Sequence, residues 1–415
     1  MIFLLLLFYP YLLASSTHAG LFIVPLILFF ILSGQTSYIQ LLKKQDWRLW
    51  GISGIALLSL ILGGSDASHY EIIRDIYYFV KPLLFIYTGM LLFEFLKKDY
   101  RRLLQYIVIA IAVQTVVFLL LRFIQAPFVF SIEDRDTFGN RGIEVYLPFV
   151  ICALALRKGW PLFSRKLLFL FALLGLIGSL LSLGRTYYAI LAISIVLLLI
   201  NRRKIYISCC IMFLIGSLCI IVFGEQLGEY FYSEADDYTR LSDKIQNSFC
   251  EILPYERTDV KINTDWRGHE AYLGLQMFYE GTLFQQIFGQ GLGAICYNNI
   301  FEDGQLSALP IFHNGYITIL LKAGWCGILL FILFLIHLMK MGKNSCSAEA
   351  DFAATLTILL VCCVLIMTQV IHGIFTSSTQ FFLMLLIGSH IAYFRDVEKE
   401  KMPVSLKKTI LSQET

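Results

Sequence analysis

The chain has 415 residues, of which 58% are hydrophobic and only 15% charged, and its mean hydropathy is +0.71. Soluble domains carry about 25% charged residues, so this composition excludes an ordinary set of soluble domains and points to a membrane protein. The net charge of +3 implies no nucleic-acid partner, and where the charges lie matters more than their sum.

Apolar runs fall near 2–14, 19–33, 49–63, 77–96, 103–124, 142–157, 167–183, 186–201, 205–223, 315–338, 353–372 and 377–394. They are continuously apolar rather than alternating, which argues against a β-barrel. Backbone in lipid must satisfy its hydrogen bonds within the segment, so each run is read as a helix. The expected fold is an all-α polytopic membrane protein with about twelve transmembrane helices, the first two short enough to form one re-entrant hairpin. The first run has neither a basic n-region nor an A-x-A-like cleavage site, so it is expected to stay in place as a membrane segment.

Alternate connections are basic: Lys43, Lys44 and Arg48; Lys97, Lys98, Arg101 and Arg102; Arg157, Lys158, Arg165 and Lys166; Arg202, Arg203 and Lys204; Lys340 and Lys343; Arg395, Lys399 and Lys401. The intervening ones are polar or acidic. By the positive-inside rule both termini are cytoplasmic and the long polar segment is external, periplasmic in a Gram-negative cell. The expected organisation is spans one to nine over 1–223, one large external loop with short helices over 224–311, spans ten to twelve over 312–394 and a cytoplasmic tail over 395–415.

Within the loop, residues 266–284 have helical apolar spacing suited to a helix on the membrane surface. Gly289, Gly291 and Gly293 read as a flexible turn. Cys250 and Cys296 are the only cysteines of the loop; they are either a disulfide or two free thiols in an oxidising compartment. Cys209, Cys210, Cys219, Cys362 and Cys363 fall in apolar runs, where cysteine behaves as a small hydrophobe. No C-x-x-C pair with zinc spacing occurs.

Basic residues outside or within the spans are not required by the topology, and ionisable groups there are functional suspects. They are Arg74, Lys81, Arg122, Arg135, Arg141, Arg185, Arg240, Lys244, Arg257, Lys261, Arg267 and Lys322. Arg185 lies in a short turn between two apolar runs, with almost no loop to carry it into solvent. Guanidinium groups match diphosphate oxygens with paired hydrogen bonds, so arginines converging on the outer face suit a lipid diphosphate headgroup. Arg185 and Arg267 lead this set, followed by Arg74, Arg135 and Arg141; the remaining residues read as solvated or helix-end charge. The competing reading of Arg185 is an interfacial side chain or an ion pair. His313 stands where the long loop re-enters an apolar run, beside Asn314. It is either a proton acceptor near neutral pH or part of a helix cap. Asp134-Arg135-Asp136 has D-x-D spacing but is too short to carry a metal site. The Gly289 to Gly293 stretch has no strand before it to make a dinucleotide fingerprint. No metal or other cofactor is implied.

Three stretches resemble the O-antigen ligase and O-antigen polymerase superfamily of bacterial membrane glycosyltransferases. They are Leu183-Gly184-Arg185-Thr186; Asp265-Trp266-Arg267-Gly268-His269-Glu270-Ala271, followed by the glycines up to Gly293; and His313-Asn314-Gly315-Tyr316 with Gly324 and Gly327. Their order, the long external loop and the span count match as well, and Arg135 with Gly139 adds a weaker similarity. The family often has an acid where this chain has Lys322. The resemblance implies glycan transfer from an undecaprenyl-diphosphate carrier to an acceptor sugar hydroxyl, on a glycan or on lipid A-core, outside the inner membrane and without metal. It implies that Arg185 and Arg267 bind the diphosphate and that His313 is the general base, with His269 and Asn314 as further site residues. The competing class is a transporter or flippase of lipid-linked oligosaccharide, which shares the topology. The lack of an internal repeat and the clustering of charges on one face weigh against it.

Overall fold

The structure is a computed structural model that describes residues 50–62, 67–125, 144–182, 185–200, 203–231, 252–256, 266–298, 307–309, 311–343, 347–370, 373–375 and 380–400. Its helices are α1 (Trp50–Ile61), α2 (His69–Phe95), α3 (Tyr100–Gln125), α4 (Tyr146–Lys158), α5 (Arg165–Leu181), α6 (Arg185–Ile200), α7 (Arg203–Phe231), α8 (Trp266–Glu280), α9 (Leu283–Phe288), α10 (Gly315–Lys340), α11 (Ala348–Val370) and α12 (Phe381–Glu400). A short antiparallel pair, β1 (Cys296–Asn298) and β2 (Ser307–Leu309), lies between α9 and α10. Among the described residues, five segments are long and apolar enough to cross a membrane: His69–Phe95, Tyr100–Leu121, Arg203–Phe223, Gly315–Lys340 and Ala348–Val370. Gly51–Ile61 and Thr186–Ile200 are shorter apolar helices. The expected runs 2–14 and 19–33 lie outside the described residues, as do 232–251, 257–265 and 299–306 of the 224–311 loop.

Several helix ends differ from the sequence reading, α7 running to Phe231 instead of 223 among them, and two have a local reason. α2 starts at His69 rather than at 77 because Ser68 and Glu71 form a capping box: Ser68 Oγ accepts the Glu71 N–H at 3.3 Å and Glu71 Oε2 accepts the Ser68 N–H at 2.8 Å. α12 continues past 394 to Glu400 because its last turns are held by ion pairs to α2 and the turn after it. Arg395 Nη2 meets Glu94 Oε1 at 2.7 Å and Lys98 Nζ meets Asp396 Oδ2 at 2.7 Å.

α11 is buried along nearly its whole length and contacts α4, α6, α7, α10 and α12. α5, α6 and α7 instead expose apolar side chains such as Phe169, Leu199 and Met212, as expected of helices facing lipid. The tightest packing joins α2 and α12. A Cβ at Gly89 would lie 2.0 Å from the Leu385 carbonyl oxygen, and one at Gly388 would lie 1.9 Å from that of Ile86. Such close backbone approach is how membrane helices gain packing without a hydrophobic drive. The start of α12 is capped from another element: buried Glu144 accepts the N–H of Phe382 at 2.6 Å and of Leu383 at 2.9 Å. His390 on α12 is a satisfied core histidine, with Tyr100 Oη 2.7 Å from its Nε2 and Thr357 Oγ1 2.7 Å from its Nδ1. Cys210, Cys362 and Cys363 are buried as the apolar pattern implied, and the Cys210 and Cys362 sulfurs lie 3.0 Å apart between α7 and α11.

Candidate functional site

The approach to α10 is built around its cap. Asn314 Oδ1 accepts the N–H of Tyr316 at 3.0 Å and of Ile317 at 3.3 Å, taking two donors that a helix start leaves open. Thr318 Oγ1 accepts the Phe312 N–H at 3.1 Å, so the chain enters the helix along a fixed path. Asn314 therefore has a structural task, and His313, just before it, is held in place by that cap.

His313 Nδ1 lies 2.6 Å from Oε2 of Glu270, and the same oxygen accepts the His313 backbone N–H at 3.1 Å. The Glu270 side chain is only 3% exposed, whereas that of His313 is 32% exposed. A buried carboxylate is costly unless its oxygens find partners; here the His313 backbone N–H and the imidazole both face it. Glu270 comes from α8, which buries Ala271, Leu275 and Phe278 along one face. Gly274 on that face lets α8 approach α10, since a Cβ there would lie 2.7 Å from Ile317 Cγ2. The predicted helix at 266–284 thus has one face packed on protein, and it divides into α8 and α9 at Gly281, where Thr282 caps the second helix.

Arg267 is half-buried in the first turn of α8, three residues before Glu270 and so beside it on the helix surface. His269 is buried, its ring 6.5 Å from that of Tyr272. Cys296 in β1 is buried, and burial together with the nearby Glu270 and Glu280 carboxylates pushes its thiol up to about 11.

A second cluster lies roughly 13 Å further along α10, nine residues beyond His313 at the usual helical rise. Lys322 Nζ meets Asp75 Oδ2 of α2 at 2.5 Å, with both side chains 1% exposed, and also donates to the Ala294 carbonyl oxygen. Arg74 sits beside this pair, its Nε 3.8 Å from Asp75 Oδ1 and its guanidinium 5.7 Å from the Tyr70 ring centre. Its buried Nε and Nη2 have no hydrogen-bond acceptor among the described residues.

At Gly324 the backbone turns to φ +64° and ψ −164°, which breaks α10 into 315–323 and 325–340. The segment after α9 docks onto the break. Gln290 N–H donates to the Leu321 carbonyl at 2.7 Å, Gly291 N–H to that of Lys322 at 3.1 Å, Leu292 N–H to that of Ser59 at 3.0 Å and Gly293 N–H to Asp75 Oδ2 at 2.7 Å. The sequence reading of Gly289 to Gly293 as a flexible turn is therefore corrected. The glycines supply positive φ and close approach: a Cβ at Gly289 (φ +88°) would lie 2.3 Å from the backbone of Lys322 and Ala323.

The structure brings the 266–271 and 312–316 stretches together through Glu270 and His313. Arg185 opens α6, which packs on α4 and α11; its side chain, with Arg135, Arg141 and Cys250, lies outside the described residues. Two suspects expected to be solvated are instead buried. Lys322 is paired as described, and Lys81 of α2 places its ammonium 5.3 Å and 5.8 Å from the ring centres of Tyr77 and Tyr78. The sequence reading missed Glu270 and Asp75. Both had a signal: an acid one turn after Arg267, and an acid next to Arg74, two residues before the apolar run that starts at 77.

Compared with models of known protein families and with characterised proteins, the chain matches none of either.

Proposed function

We propose that this protein is a metal-independent glycosyltransferase that moves a glycan from an undecaprenyl-diphosphate carrier to an acceptor sugar hydroxyl at the outer face of the inner membrane. The acceptor is either a further glycan, as in a repeat-unit polymerase, or lipid A-core, as in an O-antigen ligase. The observation that carries this reading is the 2.6 Å contact between His313 and Glu270, 43 residues apart in sequence, which joins two of the three stretches that resemble the family.

The chemistry is consistent with these groups. The bond that breaks joins the sugar's anomeric carbon to a diphosphate oxygen, so the leaving group is already activated and the protein must position it and offset its charge. Arg267 beside the dyad, Arg185 and, at the second cluster, Arg74 supply guanidinium groups for that task. The Nε2 of His313 takes the acceptor hydroxyl's proton as the new glycosidic bond forms, and the diphosphate departs with the electron pair of the broken bond. The test is genetic. Arg185→Ala, Arg267→Ala and His313→Ala should each abolish long-chain surface polysaccharide while the protein level stays normal; unchanged glycan in all three rejects the proposal. In the null strain, core carrying a single unit identifies a polymerase, and naked core with accumulated lipid-linked polymer identifies a ligase.

A further inference from the structure

We infer that Glu270 is a positioning residue that holds His313 as the Nδ1–H tautomer, leaving Nε2 as the atom that accepts a proton. This deepens the proposed function and rests on it for its catalytic meaning, although its central measurement does not.

One carboxylate oxygen of Glu270 faces two groups of the same residue, the His313 backbone N–H at 3.1 Å and Nδ1 at 2.6 Å. An ionised carboxylate only accepts hydrogen bonds, so Nδ1 carries the proton. A neutral imidazole has one N–H, so the lone pair lies on Nε2. Binding backbone and ring through one oxygen also fixes the ring relative to its own main chain. The Asn314 cap fixes that main chain. The α8–α10 contact at Gly274 fixes the carboxylate from the other side. At 3% exposure the carboxylate has little water to take its place. In free solution a neutral histidine prefers the opposite tautomer, Nε2–H, which cannot act as a base at that atom.

The doubly used oxygen makes a prediction that a simple loss of charge does not. In Glu270→Gln, the amide nitrogen cannot occupy the bridging position, because it would face two N–H groups. The amide oxygen must sit there, and it accepts from both as the carboxylate did. Glu270→Gln therefore keeps the tautomer, whereas Glu270→Ala releases the ring to Nε2–H.

The experiment is 15N NMR of the full chain in lipid bilayers, labelled with [15N]histidine, with the His313 signals assigned by their loss in His313→Gln. Expected is a neutral His313 with Nδ1 protonated in the wild type and in Glu270→Gln, and with Nε2 protonated in Glu270→Ala. Turnover of a polyprenyl-diphosphate glycan should stay within about tenfold of wild type in Glu270→Gln. It should fall about a hundredfold or more in Glu270→Ala, the typical contribution of a positioned base, with KM for the lipid donor unchanged. A wild-type neutral ring protonated on Nε2 overturns the inference, as does an Nε2–H ring in Glu270→Gln. The wild-type spectrum stands even if Glu270→Ala does not fold. If the tautomers are as expected but Arg185→Ala, Arg267→Ala and His313→Ala all leave polysaccharide intact, the proposed function fails and this inference survives; the reverse pattern rejects the inference alone.

Discussion

Lys322 and Glu270 had opposite fates between sequence and structure, for the same reason. Lys322 stood out as a basic residue where the resembling family often has an acid, and Glu270 passed as an unremarked letter of a longer stretch. What a charge does depends on its partner, and both partners come from distant elements: Asp75 is 247 residues from Lys322, and His313 is 43 from Glu270. Single-sequence spacing carries no such pairing. The Lys322–Asp75 pair yields a stability prediction. Removing one member of a buried pair strands the other and costs about 3–5 kcal/mol, whereas removing both charges with similar volumes costs much less. Lys322→Met should thus lower the thermal midpoint of the purified protein. Lys322→Met combined with Asp75→Asn should recover part of the loss, since the amide oxygen still accepts the Gly293 N–H. A double variant no more stable than the single one shows that the pair is not what holds this junction.

At the scale of elements, the long apolar helices were legible because hydropathy alone fixes them: the runs at 103–124 and 353–372 fall within a few residues of α3 and α11. The break in α10 was not. The run 315–338 reads as one uninterrupted span, and its glycines look no different from those of α2 and α12. Only the docked segment shows why Gly324 is there, because the carbonyls of Leu321 and Lys322 accept hydrogen bonds from Gln290 and Gly291 at the break. Gly324→Ala meets two obstacles. Its φ of +64° with ψ −164° is a conformation almost confined to glycine and costs an L-residue about 1–3 kcal/mol, and its Cβ would lie 2.4 Å from the Ile287 carbonyl oxygen. The expected outcome is release of α9 and the 289–293 segment from α10, with the α2–α12 contact unaffected. Limited proteolysis reads this directly: cleavage within 281–293 should quicken in the variant while the α2 and α12 fragments stay resistant. Equal cleavage of both proteins argues that α10 tolerates a continuous helix.

For the whole molecule, the alternation of basic and polar connections was the strongest statement available from sequence, and the packing of the helices is consistent with it. The connections assigned to the cytoplasm meet one another. Lys98 pairs with Asp396, Lys158 Nζ meets Asp351 Oδ2 at 2.8 Å, and Arg203 donates to the carbonyls of Met341 at 2.6 Å and Gly342 at 2.7 Å. His313, the 289–293 segment and the start of α2 gather among the connections assigned to the other side, tied by Asp75 and Glu270. One end of the bundle is thus stitched by lysine and arginine, and the other holds the candidate site. Which end faces the cytoplasm is a matter of accessibility. In a variant with the native cysteines replaced by serine, a cysteine introduced at Leu283, an exposed residue of α9, should react with a membrane-impermeant maleimide applied to cells whose inner membrane is intact. One introduced at exposed Lys343, just past α10, should react only after the inner membrane is opened. The reverse pattern would invert the molecule and place His313 on the side where nucleotide sugars, not lipid-linked glycans, await transfer, which the proposed chemistry does not survive.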